Sequence, residues 1–165
     1  MKESSVHTAW LGLGSNLGKR RENISKACEY ITNNQDLILK KSSIYKSPPW
    51  GFESQNSFYN MCVRIETRKS PEALLKSLQD IEMKMGRERA EEYIDRIIDI
   101  DILFYDRLVI ESPVIRIPHP GISERLFVLE PMLEIDPELI HPISGFSIEA
   151  MRKNCPDEGR LVRLV

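Results

Sequence analysis

Apolar residues recur along this chain with two different periods. Ile24, Ala27, Cys28 and Ile31 fall at i, i+3, i+4 and i+7, one face of a helix predicted over 19–32. Ahead of it, residues 6–13 predict a first strand, with a turn at Gly12-Leu13-Gly14-Ser15-Asn16. Residues 37–45 predict a second strand. The following Ser47-Pro48-Pro49-Trp50-Gly51-Phe52 is excluded from a central strand, because adjacent prolines remove two ladder donors. Over 59–67 the period is two, with Met61, Val63 and Ile65 on one face and Cys62, Arg64 and Glu66 on the other. Ser70-Pro71 reads as a helix start, a capping hydroxyl followed by proline at the first helical position. Leu74, Leu78, Ile81 and Met85 then repeat at helical spacing until Gly86 stops the run.

Residues 87–96 are charged and aperiodic, so a loop is expected. Residues 97–105 are the strongest strand of the chain, with Ile98, Ile100, Ile102 and Phe104 assigned to its core face. Asp106-Arg107 turns the chain, and 108–110 is expected to pair back. A short strand at 114–117 ends at Pro118-His119-Pro120. A helix over 124–134 is expected in two pieces because of Pro131, followed by a last helix over 147–154 and a short strand over 161–164. The order is β-α-β-β-α-β with a helical tail. It predicts an α+β fold of one domain over 1–165, a ferredoxin-like sandwich with helices on a mainly antiparallel sheet. That architecture hosts enzymes, metal chaperones, regulatory modules and RNA binders, so it does not decide function.

Composition narrows the choice. Hydrophobic residues make up 41% and charged residues 29%, which argues against disorder. Lys and Arg number 23 against 25 Asp and Glu, a net charge of −2. That removes the electrostatic case for bulk nucleic-acid or membrane binding. No apolar run approaches the roughly 20 residues of a membrane span, and no secretory signal is expected behind Met1. Cys28, Cys62 and Cys155 are odd in number and widely spaced. They build neither a disulfide framework nor a metal knuckle, so a reducing, cytoplasmic setting is expected. His7, His119 and His141 are equally scattered and suggest no zinc site.

Candidate chemistry centres on Asp99-Ile100-Asp101. Alternate strand residues share a face, so the two carboxylates stand side by side with Cα atoms about 6 to 7 Å apart. Like charges at that spacing are costly unless something positive lies between them. Such oxygens suit Mg²⁺ and can bridge two metals; a solvated sheet face with two ordinary carboxylates is the plain alternative. Arg87, Arg89 and Arg96 precede that strand, and metal plus arginine is the equipment of phosphoryl transfer. Residues 86–101 also hold six acids against those three arginines, so a solvated charged loop accounts for most of them. Arg96, three residues before Asp99, is the exception. Glu82 borders the apolar stripe of its helix, either as a boundary residue or facing the site. His119 is held between two prolines, where a structural hydrogen-bonding role competes with a catalytic one. Gly12-Leu13-Gly14 lacks the third glycine of a dinucleotide fingerprint at the right spacing, and Gly18-Lys19 lacks a Walker frame. Trp50, Phe52, Phe58, Tyr59, Tyr93 and Phe127 lie in or beside predicted loops or open a helix; some belong to the core, and a pair of them could sandwich a flat heterocycle.

Taken in order, seven blocks resemble one family. They are Leu13-Gly14-Ser15-Asn16-Leu17-Gly18, Ser47-Pro48-Pro49-Trp50-Gly51, Phe58-Tyr59-Asn60, Gly86-Arg87, Asp99-Ile100-Asp101-Ile102-Leu103, Ile117-Pro118-His119-Pro120 and Arg125-Leu126-Phe127-Val128-Leu129-Glu130-Pro131. Together they resemble the 6-hydroxymethyl-7,8-dihydropterin pyrophosphokinases of folate biosynthesis. The resemblance implies transfer of pyrophosphate from ATP to the pterin hydroxymethyl group, with AMP released. It implies two Mg²⁺ ions on Asp99 and Asp101, and catalytic arginines at Arg87 and Arg96 on a loop that closes over ATP. Glu82, Arg89, His119 and Arg125 match ATP-binding positions. Phe58 and Phe127 match an aromatic clamp on the pterin, and Asn60, with Ser47 and Trp50, matches the groups that read its polar edge. A small-molecule enzyme acting as a monomer is implied, without nucleic-acid or membrane partners.

The sequence departs from the family at one stretch. Where the family has Arg-x-x-x-Arg-Trp-Gly-Pro-Arg, this chain has Arg89-Ala90-Glu91-Glu92-Tyr93-Ile94-Asp95-Arg96, one residue shorter. Tyr93 stands in for tryptophan, and Ile94-Asp95 replaces Gly-Pro. Few apolar residues anchor 86–94, so that segment is expected to be poorly ordered without nucleotide. Pro120 follows His119 where the family can carry an aromatic. Two other functions fit the same residues less well. A palm-like nucleotidyl transferase would want a basic template surface, and a regulatory module would not need Asp99, Asp101, Arg87 and Arg96 together.

Overall fold

A computed structural model describes residues 4–87 and 95–164. The chain runs β1 (His7–Ser15), α1 (Arg20–Asn33), β2 (Leu37–Lys41), β3 (Ile44–Ser47), β4 (Phe58–Thr67), α2 (Pro71–Lys84) and β5 (Asp99–Tyr105). It continues through β6 (Ile110–Glu111), β7 (Arg116–Ile117), a 3-10 turn (Ile122–Glu124), α3 (Leu126–Ile135), α4 (Ile148–Lys153) and β8 (Val162–Leu164). Strands lie in the order β5-β1-β4-β3-β8, with β2 also on β4, and every pairing is antiparallel. This is the expected ferredoxin-like arrangement, with the first and third strands of the β-α-β-β-α-β unit at its centre.

The alternation expected over 59–67 is what buries the sheet. Met61, Val63 and Ile65 join Leu11, Leu13, Ile100 and Ile102 under α1 and α2, which contribute Ile24, Ala27, Ile31, Leu74, Leu78 and Ile81. The Ser70 hydroxyl accepts the Ala73 amide at 3.2 Å, so α2 starts with the cap and proline read from sequence. On the opposite face a second core gathers Trp10, Cys62, Leu103 and Phe104 under α3 and α4. The sheet is therefore covered on one face by α1 and α2, and on part of the other by the helical tail.

Several boundaries differ from expectation, each for a long-range reason. The first strand does not turn at Gly12. It continues to Ser15, because Gly12 and Gly14 pair with β4 on one side and β5 on the other. Phe104 does not share the face of Ile98, Ile100 and Ile102. A register shift opposite Trp10 and Leu11 places Leu103 and Phe104 together in the second core and returns Tyr105 to the first; such a bulge inserts one residue and flips the alternation beyond it. The expected strand 37–45 is two strands on one partner, broken where the Ser42 hydroxyl takes the Cys62 amide and the Ser43 amide is taken by Glu134. Residues near 108–110 do not pair back on β5; β6 pairs with β7 as a separate ribbon. Pro131 sits inside α3 without dividing it, and the break falls at extended Arg125. Burial of Val128, Leu129, Met132 and Ile135 holds that helix together despite the missing donor. Asp157, from the tail, accepts the Leu126 amide at 3.0 Å and supplies the cap that Arg125 does not. Among the described residues, no helix is long and apolar enough to cross a membrane.

Candidate active site

The part of the sheet left open by α3 is the floor of a cleft. Its composition follows from strand alternation. Gly12 and Gly14 come from β1, Phe58, Asn60 and Cys62 from β4, Asp99, Asp101 and Leu103 from β5, and Ser47 from the end of β3. Gly12 stands between Cys62 and Asp101, and Gly14 between Asn60 and Asp99. A methyl group on Gly14 would lie 3.3 Å from the Asn60 amide oxygen and 3.6 Å from the Phe58 ring. The glycines therefore keep the floor low in front of both carboxylates. The cavity between these residues measures about 80 Å³ and is partly open to solvent.

Its walls are aromatic and its rim is cationic. Trp50 and Phe52, in the loop 48–57, and Phe127, opening α3, line it together with Phe58. Phe52 meets Phe58 edge-on, with ring centres 6.0 Å apart. The Arg125 guanidinium carbon lies 4.5 Å from the Trp50 ring centre and 6.0 Å from that of Phe127. Its Nε is buried without a hydrogen-bond partner among the described residues. Gly121 makes room for it, since a Cβ there would stand 2.7 Å from Arg125 Nε. The Asn60 side-chain amide donates to Ser47 Oγ at 2.8 Å, leaving its oxygen over Gly14 as an acceptor. His119 is pinned to the end of β5 by its backbone amide, which Leu103 accepts at 2.9 Å. Burial, then the nearby Arg125 charge, lowers its pKa to about 4, so the ring is neutral at physiological pH.

Asp99 is gripped from two sides. Arg87 donates to Oδ1 at 2.8 Å and Arg96 to Oδ2 at 3.3 Å. Behind Arg87 stands Glu82, whose Oε1 takes the Arg87 guanidinium at 2.7 Å and the Ile100 amide at 2.7 Å. Glu82 therefore supports Arg87 and the start of β5 from outside the cleft lining. Burial pushes its carboxyl up to about 7 against the pull of the Ile100 amide and Arg87. Burial, reinforced by the charges of Asp99 and Glu82, pushes Asp101 up to about 8. Asp101 meets no hydrogen-bond donor among the described residues. A cation beside it would reverse that shift, because a bound ion stabilises the charged form.

Ten expected site residues thus line one cleft: Ser47, Trp50, Phe58, Asn60, Arg96, Asp99, Asp101, His119, Arg125 and Phe127. Arg87 and Glu82 adjoin it through Asp99. Arg89, the Tyr93 substitution and most of the expected mobile segment lie outside the described residues. Sequence reasoning left Gly12 and Gly14 in a turn, and it did not single out Asn16, Ser54 or Asn56. The last two are polar loop residues whose partners are distant in sequence, so no local signal marks them.

The model of the 7,8-dihydro-6-hydroxymethylpterin-pyrophosphokinase (HPPK) family matches residues 10–137. The chain belongs to this family. It is 41% identical over 136 residues to the 2-amino-4-hydroxy-6-hydroxymethyldihydropteridine pyrophosphokinase of Aquifex aeolicus, covering 82% of this chain and 84% of that protein. It is 43% identical over 148 residues to the folic acid synthesis protein fol1 of Pneumocystis carinii, covering 88% of this chain but 20% of that protein. This HPPK chain thus spans most of the bacterial relative and about a fifth of the fungal one. The fold is shared with Plasmodium falciparum HPPK-DHPS solved with pteroate, at a TM-score of 0.74 and 16% identity, over 93% of this chain and 43% of that one.

Proposed function

We propose that this HPPK-family chain transfers the terminal pyrophosphoryl group of ATP to the hydroxymethyl oxygen of 6-hydroxymethyl-7,8-dihydropterin and releases AMP. The observation that carries this reading is convergence: a carboxylate pair, paired arginines and aromatic walls from distant segments meet in one cleft. In the reaction the hydroxymethyl oxygen attacks the β-phosphorus, the bond to the α-phosphate oxygen breaks so that AMP leaves, and the hydroxyl proton passes to water. Such a transfer depends on alignment and charge neutralisation more than on covalent help from the protein.

Asp99 and Asp101 suit Mg²⁺, which is commonly held by one or two carboxylates and completed by substrate phosphates and water. When bound, two Mg²⁺ ions would supply the positive charge that lets the phosphates approach the carboxylates. Arg87 and Arg96 add fixed positive charge, and Arg125 and His119 face the same space from the rim. Phe58 and Phe127 hold the flat pterin ring, and the Asn60 oxygen accepts from its N–H edge. The reading takes ATP and the pterin as the partners of the site, and the enzyme as a monomer working in the cytoplasm. The test is to mix the protein with ATP, Mg²⁺ and the hydroxymethyl-dihydropterin and to separate the nucleotides. AMP formed in step with pterin pyrophosphate is expected, and no turnover on omission of Mg²⁺. ADP as the product, or no pterin-dependent AMP, overturns the reading.

A further inference from the structure

Behind the rim of the cleft, one carboxylate joins three loops. Asp95 Oδ1 accepts from the Asn16 side-chain amide at 2.7 Å and from the Ser54 hydroxyl at 2.6 Å. Its Oδ2 accepts from the Asn56 amide at 2.9 Å. Asn16, almost fully buried at the end of β1, also treats Arg96 as a strand partner. Its Oδ1 accepts the Arg96 backbone N–H at 2.7 Å, and its own backbone N–H donates to the Arg96 carbonyl at 3.1 Å. The Ser54 hydroxyl also accepts the Asn56 backbone N–H at 3.1 Å. The far end of the same loop is held by Arg20, which donates to the carbonyl and hydroxyl of Ser57 at 2.8 Å each.

The three hydrogen bonds hold the Asp95 carboxyl below its ordinary range, with Ser54 contributing most, so it is a full charge at neutral pH. Hydrogen bonds to an ionised acceptor are the stronger kind, and a set of three constrains position as well as energy. The loop so held carries Trp50 and Phe52, the aromatic wall of the cleft, and the residue after Asp95 is Arg96.

We propose that Asp95 is a positioning residue for pyrophosphoryl transfer, its carboxylate tying Asn16, Ser54 and Asn56 together so that Arg96 is held at the phosphate end of the cleft in register with the pterin-side wall. The proposal rests on the function argued above, in which Arg96 acts on the transferred group. Asp95 touches no substrate; it acts through Arg96. Misplacing a catalytic group by about 1 Å can cost up to about a hundredfold in rate, so loss of the tie should appear in turnover before it appears in binding.

The test is a set of variants read in two ways. Single-turnover rates at saturating substrates should fall about tenfold in Asp95→Ala, with the KM for ATP changed little. In an Arg96→Ala background the same change should add nothing, because the group it positions is gone. Asp95→Asn should also be impaired, since it removes the negative charge that the three donors share. Asp95→Asn combined with Asn56→Asp returns a charge to the cluster with donor and acceptor exchanged, and should recover most of the rate. In parallel, hydrogen exchange of the Arg96 amide should accelerate in Asp95→Ala while core amides keep their protection. An Asp95→Ala loss that adds in full to that of Arg96→Ala, no recovery in the exchanged pair, or an unchanged Arg96 amide overturns the proposal. A wild-type protein that makes no AMP while the Arg96 amide responds as expected overturns the functional reading instead.

Discussion

The two faces of the central strands are made of opposite materials. Toward α1 and α2, β1, β4 and β5 present Leu11, Leu13, Val63, Ile65, Ile100 and Ile102, all closed to solvent. One residue away along the same strands stand Gly12, Gly14, Asn60, Cys62, Asp99 and Asp101, which form the floor of the cleft. A slip of one residue in any strand would exchange the sets, placing carboxylates in the core and leucines in the site. The hydrophobic face therefore does more than stabilise the fold. It locks the register that aligns Asp99 with Gly14 and Asp101 with Gly12. One face supplies stability and precision of placement, and the other is left free to hold charge, empty space and aromatic walls that a core would not tolerate.

The sharpest way to break this contrast is to change one face and ask whether the other notices. Asp101→Ala or Asp99→Ala is expected to reduce turnover roughly a thousandfold, about 4 kcal/mol of transition-state stabilisation. The melting temperature of Asp101→Ala should hold or rise, because a half-buried carboxylate crowded by like charges is costly to the fold. Steady-state kinetics beside thermal unfolding checks both, and near-normal turnover in both variants would remove the metal assignment. On the other face Leu78→Ala, at a fully buried position, is expected to cost about 3 kcal/mol of stability. Its kcat, measured well below the transition, should match wild type; a large loss of kcat would mean the faces are not separable.

Smaller effects sharpen the picture within the cleft. Phe127→Ala should weaken pterin binding about fivefold or more, near 1 kcal/mol, by removing one stacking face. Calorimetric titration with a non-hydrolysable ATP analogue present reads this directly, and an unchanged affinity would assign the ring to the second core. A further expected effect is a pH dependence of stability. His119 is depressed to about 4 from an ordinary 6.5, by burial and then Arg125, partly offset by Asp99, with Arg116 adding a further lowering. Between those values the unfolded chain binds the proton and the folded chain does not, so stability falls as pH drops from about 6.5 toward 4. Melting temperatures of wild type and His119→Gln over that range should diverge, with the variant losing less; parallel curves would place the acid sensitivity elsewhere.

Much of this was legible locally. The period of two over β4, the stripe of Leu74, Leu78 and Ile81, the Ser70-Pro71 start of α2 and the shared face of Asp99 and Asp101 all depend on neighbours within a few residues. Most residues that line the cleft were also readable, because the blocks that carry them are contiguous. Other features depended on partners far along the chain. Gly12 and Gly14 read as a turn until two flanking strands claimed them. Leu103 and Phe104 changed face because β1 and β5 pair with a bulge. Arg125 rather than Pro131 broke the tail helix because Asp157 caps it from a segment 31 residues away. The tie around Asp95 joins residues 41 and 79 positions apart. The sequence by itself determined which residues face inward on each element, since that follows from backbone periodicity. Tertiary structure alone decided register, bulges and hydrogen-bond partners, because these are set by which distant backbone and polar groups must satisfy one another once the apolar faces have closed.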